Sequence, residues 1–275
     1  MSTSSGDAVP IRKCYVRFRD GHPDGDAQAY AYQGFRALKV EVVGYDWIDE
    51  IWGFDDLGPD VGLAGYVGDV HAALAKIGVP IPDANDYPDA LRTWLRREVR
   101  QTTFDEVRRG PKPIFVKPVK LKQFNAFVYE IGMDTPVSVM LEENEGRQVP
   151  VWTSPLEFFD AEFRAYVLHR KVIDVRRYKG DWSLAPDRYT IESAVKAMGR
   201  GAPHAYCLDW GLTLVGRPKV TMTKLIEYNH AYGFGHYGLA PVSYARMIAA
   251  RWHQLARGAS AVDEVSETQD PIHLT

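Results

Sequence analysis

AYCLDWGLTLVGRPKVTMTKLIEYN, residues 205–229, consists of two alternating runs joined by Gly216-Arg217-Pro218-Lys219, the pattern of a β-hairpin. Centring the pairing near Pro218 sets Leu208 opposite Tyr228, Trp210 opposite Ile226, Leu212 opposite Lys224 and Leu214 opposite Met222, an almost wholly apolar face. The same register sets Asp209 opposite Glu227 on the other face, with Asn229 two residues further along it. Two carboxylates held side by side in a sheet repel, at a cost of about 0.2–1 kcal/mol, unless a cation lies between them. Oxygens from an Asp, a Glu and an Asn form a hard donor set suited to Mg²⁺ carrying nucleotide phosphates. A solvated hairpin face, or a slip of one residue, is compatible with the same spacing.

Upstream, Ile114-Phe115-Val116-Lys117-Pro118 ends an apolar strand on a lysine, and Lys120 and Lys122 follow in the next loop. Such lysines can hold a polyphosphate by charge-assisted hydrogen bonds, or can simply be solvated. In FRAYVLHRKVIDVRRY, residues 163–178, a three-residue turn pairs Arg164 with Arg176. Two arginines side by side call for an anion between them, or for salt bridges to Glu162 or Asp174.

FVKP, a polar loop, AEFRAYV, then a hairpin carrying LDWG and IEYN follow one another in the order of the ATP-grasp fold. The chain resembles a compact clade of that fold over about residues 95–255. The resemblance implies two α+β subdomains gripping ATP, with Lys117, Lys120 and Lys122 near the phosphates. It implies Asp209, Glu227 and Asn229 as ligands of one or two Mg²⁺ ions, and Arg164 with Arg176 or Arg177 steadying the transferring phosphoryl group. A backbone hinge around Ser154 to Phe158, with Ser154, Leu156 and Glu157, would meet adenine. The loop after FVKP, Val119 to Asn125, lacks the glycines that let a backbone close over phosphates, so its lysine side chains would substitute. Arg97 or Arg100 would stand in for a further nucleotide-binding lysine of longer members.

Gly233 to Gly238 spells G-x-G-x-x-G after a strand, but the 37 residues beyond it leave no room for the rest of a dinucleotide-binding fold. Its glycines instead suit a loop close to a substrate, with His230, Tyr232, His236 and Tyr237 as contacts. No HExxH and no nearby cysteine accompany the two histidines, which argues against a transition metal. Cys207 reads as a small core residue. The arginines at 92, 96, 97, 100, 108 and 109 need no partner beyond solvent.

The remainder of the 275 residues fits this frame. Hydrophobic residues make up 45% and charged residues 25%, an ordinary globular balance that excludes wholesale disorder and coiled coil. The net charge of −3 argues against a protein that coats nucleic acid. Two cysteines, no basic-then-apolar leader and no long apolar run predict a cytoplasmic chain without a membrane span.

Residues 1–94 read as a small open α/β domain, 95–257 as the ATP-grasp domain and 258–275 as a disordered tail. In the front domain strands are expected at 11–18, 37–45 and 65–67, with a helix over 70–76 closed by Gly78 and another over 87–99. Strands at 114–116, 125–130, 137–141 and 149–152 then precede helices at 187–198 and 243–256. The expected activity is a carboxylate–amine ligase that uses ATP and Mg²⁺ through an acyl phosphate, acting on a small molecule or peptide. A kinase or a catalytically idle nucleotide-binding module are the alternatives.

Overall fold

The computed structural model describes residues 9–83, 85–120, 123–130, 135–142, 148–216 and 220–258. In the front part β1 (Lys13–Arg19) is central, with the short β2 (His22–Pro23) folded back on its end. Helix α1 (Asp26–Ala37) leads to β3 (Glu41–Tyr45), and β4 (Val61–Ala64) leads to α2 (Val67–Lys76). β3 and β4 flank β1 and run parallel to it. Two expectations are corrected here. The strand expected from Ala37 starts only at Glu41, because 26–37 is a helix that buries Ala31, Gly34 and Phe35 at helical spacing. The strand expected at 65–67 lies earlier, in the fully buried Val61–Ala64, and Val67 already opens α2.

The middle part comprises α3 (Arg92–Leu95), β5 (Arg100–Thr103), α4 (Phe104–Arg109), β6 (Ile114–Pro118), β7 (Phe127–Tyr129), α5 (Pro136–Glu142) and β8 (Pro150–Ser154). Its antiparallel sheet has the order β5-β8-β6-β7. The long helix expected over 87–99 is only a 3₁₀ turn, Asp89–Leu91, and α3, because Arg96 adopts a left-handed φ of 50° and stops it. The strand expected at 137–141 is helix α5. Thr135 and Ser138 cap it reciprocally, with Ser138 N donating to Thr135 Oγ1 at 3.0 Å and Thr135 N to Ser138 Oγ at 2.8 Å.

The last part holds β9 (Ala161–Leu168), β10 (Lys171–Gly180), α6 (Arg188–Ala197), β11 (Ala205–Val215), β12 (Val220–His230) and α7 (Pro241–Ala256), with sheet order β10-β9-β11-β12. One face, with Ala165, Val167, Leu208, Trp210 and Tyr228, packs in a core with Ile191, Ala194 and Val195 of α6. On the other face Tyr166 and Cys207 join a second core built from the front sheet and α7. Helix α7 therefore packs on the front sheet although it follows the hairpin in sequence; Gly34 permits the contact, since a Cβ there would lie 2.0 Å from the Pro241 carbonyl oxygen.

The β9–β10 turn is His169-Arg170, both left-handed, so Lys171 pairs with Leu168; the expected three-residue turn is one residue too long. A bulge between Val172 and Asp174 absorbs the difference, and Arg176 still faces Arg164.

In the β11–β12 hairpin Leu208 faces Tyr228 and Asp209 faces Glu227, as expected. Beyond them a bulge shifts the register by one, so Trp210 faces Leu225, Leu212 faces Thr223 and Leu214 faces Thr221, in place of the partners expected above. The physical reason is burial. An unshifted strand would drive Lys224 into the face of Leu212, whereas the shift buries Leu225 and Thr223 and frees Lys224 to reach Glu157 at 2.8 Å. Arg97 donates to the carbonyls of Leu225 and Ile226, at 2.7 and 2.8 Å, across the bulge. The hairpin's Arg217-Pro218-Lys219 and the tail from Ala259 lie outside the described residues. Among the described residues no helix is long and apolar enough to cross a membrane.

Candidate active site

Lys117, at the end of β6, reaches from the middle sheet to the last one. Its ammonium pairs with Glu227 Oε2 on β12 and with Asp86 Oδ2, the latter at 2.8 Å, in the segment that enters from the front part. Burial alone would lower a lysine pKa, but the two carboxylates overcome it and hold Lys117 above its ordinary value. Burial likewise pushes Glu227 up, and Lys117 outweighs it, so that carboxylate stays below its ordinary value. Asp86 is 4% exposed and has its pKa raised by burial, which Lys117 only partly offsets.

Asp209 and Glu227 stand opposite each other, and Asn229 shares their face. The Asn229 amide nitrogen donates to Asp209 Oδ2 at 3.1 Å and to Glu227 Oε1 at 3.0 Å, which keeps those oxygens within about 6 Å of each other. On the other side of β11 the antiparallel pairing with β9 sets Arg164 directly across from Asp209. Arg164, 6% exposed, clamps the 3% exposed Asp209 bidentately, with Nε to Oδ1 and Nη2 to Oδ2 both at 2.7 Å. Burial pulls that guanidinium down and Asp209 more than restores it. The Tyr237 ring lies 4.8 Å from the guanidinium and stacks on Tyr178. A row of paired charges therefore runs from Asp86 through Lys117 to Glu227, and through the neutral Asn229 amide to Asp209 and Arg164, across the seam between two sheets.

Other expected residues fall elsewhere. Arg176 turns to Asp174 on its own strand, at 2.8 and 2.7 Å, and Arg177 donates to the Gly180 carbonyl; both are exposed. Lys120 is exposed and lines a cavity of about 620 Å³, with Asp83, Tyr87, Arg92, Gln123 and Trp152, adjoining the Lys117 end of the row. Lys122 lies outside the described residues. Ser154, Leu156 and Glu157 sit where β8 passes to β9. The Ser154 hydroxyl donates to the Pro155 carbonyl at 3.0 Å, and Glu157 is held by Lys224.

Strand alternation turns His230 to the face opposite Asn229. There Tyr228 and Arg251 lie against its Nδ1 and the Asp83 carbonyl against its Nε2, and burial next to Arg251 pushes its pKa down to about 4. Tyr232 is buried in the front core. His236 stacks on Tyr30 of α1 at 3.5 Å, while its carbonyl and that of Gly235 accept the Tyr166 hydroxyl. Two residues of this loop meet Arg164: the Tyr237 ring, and Gly235, whose carbonyl accepts Arg164 Nη1 at 3.4 Å. The Asp86 contact was hidden in the sequence because DANDYPDA has no periodicity to aim a side chain, and Arg97 is committed to the bulge carbonyls.

Among the described residues no three His, Cys, Asp or Glu side chains converge into a metal cluster. The donor set is two carboxylates and one amide, all hard oxygen donors once Asn229 presents Oδ1. It fits Mg²⁺, which normally keeps several waters and substrate phosphates in its shell.

A family model for an ATP-grasp domain, the second family of its clade, matches residues 94–247. Among solved structures the chain is similar to the D-alanine–D-alanine ligase of Bacillus anthracis, at 14% identity over 89% of this chain and 98% of that one, with a TM-score of 0.51. It is also similar to the ATP-grasp ligase PsnB solved with its minimal precursor, at 16% identity over 87% and 99% of the two chains, with a TM-score of 0.48. No curated protein matches the chain.

Proposed function

The chain belongs to the ATP-grasp domain family, and from that premise we propose that it is an ATP-dependent ligase joining a carboxylate to an amine. The observation that carries the proposal is the row of Lys117, Glu227 and Asn229, part-buried, with the buried Asp209 and Arg164, on the seam between two sheets, beside a cavity of about 620 Å³. Asp209, Glu227 and Asn229 would hold Mg²⁺, which when bound supplies charge neutralisation for the nucleotide phosphates. Lys117, exchanging Glu227 for a phosphate oxygen, adds a fixed positive charge. Arg164, steadied by Asp209 and Tyr237, faces the position where charge builds on the γ-phosphoryl group. Backbone groups of 154–158 meet adenine.

In the first half-reaction a substrate carboxylate oxygen attacks the γ-phosphorus in line, the bond to the β-phosphate oxygen breaks, and ADP leaves. An amine then attacks the acyl carbon, loses a proton and expels phosphate, leaving an amide. The acyl phosphate hydrolyses unless water is kept out, and the loop 233–238, strapped to Tyr166 and Tyr30, is suited to cover it.

Carboxylate and amine candidates, peptides included, are screened with Mg-ATP while ADP and free phosphate are measured and hydroxylamine is offered as a trap. ADP, phosphate and a hydroxamate are expected. A phosphoryl group left on a product hydroxyl, with no hydroxamate, would replace the ligase by a kinase. Nucleotide binding without turnover across the screen would leave an idle binding module.

A further inference from the structure

Helix α6 buries Ile191, Ala194 and Val195 against the last sheet, so Arg188, Glu192 and Lys196, four residues apart, form one stripe on its other side. Arg170 and Lys171 stand near that stripe at the β9–β10 turn, and Arg200 follows the left-handed Gly199 that ends the helix. Together they line a groove of about 590 Å³, with Val172 and Val195 also in its lining, on the side of the last sheet away from Asp209. Glu192 pairs with Arg188 at 2.7 Å, whereas Arg170, Lys171, Lys196 and Arg200 are exposed and form no ion pair with another described residue. Four cations around one concavity repel one another, and gathering anions relieves that repulsion.

Two features of the groove select the kind of anion. No aromatic side chain lines it, so a nucleic acid would find no ring on which to stack a base. β10, which contributes Lys171 and Val172 to the lining, is the end strand of its sheet, and among the described residues no other strand takes its free edge. The backbone groups of such an edge pair with an extended polypeptide, and the cations around it meet carboxylates on that polypeptide's side chains. We propose that the groove is a docking site for an extended acidic segment of a partner polypeptide, laid along the start of β10 with its carboxylates on Arg170, Lys171, Lys196 and Arg200. The groove lies across the sheet from Asp209 and Arg164, so this binding stands independently of the ligase reading and needs neither nucleotide nor turnover.

Fluorescence anisotropy of labelled oligo-glutamate, added to the full-length chain at low salt, tests this. The peptide should bind, come off near 1 M salt, where the screening length is about 3 Å, and outcompete oligo-uridylate of the same length. The triple change Lys171→Glu, Lys196→Glu and Arg200→Glu, all on exposed positions, should weaken binding about tenfold or more. The same charge change at Arg36, Lys39 and Arg109, exposed residues of the front and middle parts, should weaken it about twofold or less. Amide hydrogen exchange over residues 171–173 should slow about tenfold or more when the peptide is bound. Circular dichroism melts check that each variant is folded; if the triple variant melts early, the milder pair Lys196→Gln with Arg200→Gln takes its place, with a loss of binding still expected. No binding of oligo-glutamate, tighter binding of oligo-uridylate, equal losses in the groove and control variants, or unchanged exchange over 171–173 overturns the proposal.

Discussion

Replacing Arg164 by methionine removes a guanidinium that holds Asp209 through two hydrogen bonds of 2.7 Å at a place where both residues are almost fully buried. At an effective dielectric of about 20 a pair at this range attracts by about 4 kcal/mol, and stranding one partner of a buried pair typically costs about 3–5 kcal/mol. Asn229 cannot compensate, because its amide already divides between Asp209 and Glu227. With a shift of about 2–4 °C per kcal/mol for a chain of this size, the thermal midpoint should fall by roughly 6–20 °C. Adding Asp209→Asn removes the stranded charge, so the double variant should regain at least about 2 kcal/mol over the sum of the single losses. Circular dichroism melts of the four proteins measure both quantities. Arg164→Met within about 1 kcal/mol of the parent, or strictly additive losses, would refute the assignment of this pair as a buried, mutually dependent unit.

Lys117→Ala should weaken Mg-ATP binding by about 1.5–3 kcal/mol, the range for hydrogen bonds to charged groups, and calorimetry on the folded variant that finds unchanged affinity removes Lys117 from the nucleotide site. Gly34→Ala should destabilise the chain by about 1–3 kcal/mol in denaturant melts, although alanine is ordinarily the better helix former, because its Cβ would meet the Pro241 carbonyl oxygen at 2.0 Å; a stabilised variant would mean that α1 and α7 do not approach this closely. Burial lowers the pKa of His71, so protonation opposes folding, and its contribution to stability is lost as pH falls from the ordinary imidazole value through the lower folded one. His71→Phe should flatten the acid side of the stability profile below about pH 6.5, and an unchanged slope would show that His71 titrates normally.

Sequence alone settled what depends on local pattern. Alternation over 205–229 made a hairpin and offered Asp209 opposite Glu227 as one of its registers, and the pairing in the fold holds that register at the acids. The order of FVKP, AEFRAYV, LDWG and IEYN identified the ATP-grasp fold. Asp187 announced α6, and accepts the Thr190 N–H as its cap. What escaped were features set by partners distant in the chain. Residues 26–37 and 137–141 carry mixed propensities, and packing or capping made them helices. The bulge near Ile226 exists because Lys224 cannot face Leu212 inside the core, a conflict visible only once α6 closes that side. Asp86 meets Lys117 only because the middle sheet, the last sheet and the segment from the front part converge. Arg164 meets Asp209 only because β9 and β11 lie side by side, a pairing of strands 45 residues apart that local pattern does not choose. His230 lies next to Asn229 in sequence but on the other side of the sheet, for the plain reason that successive residues of a strand point to opposite faces.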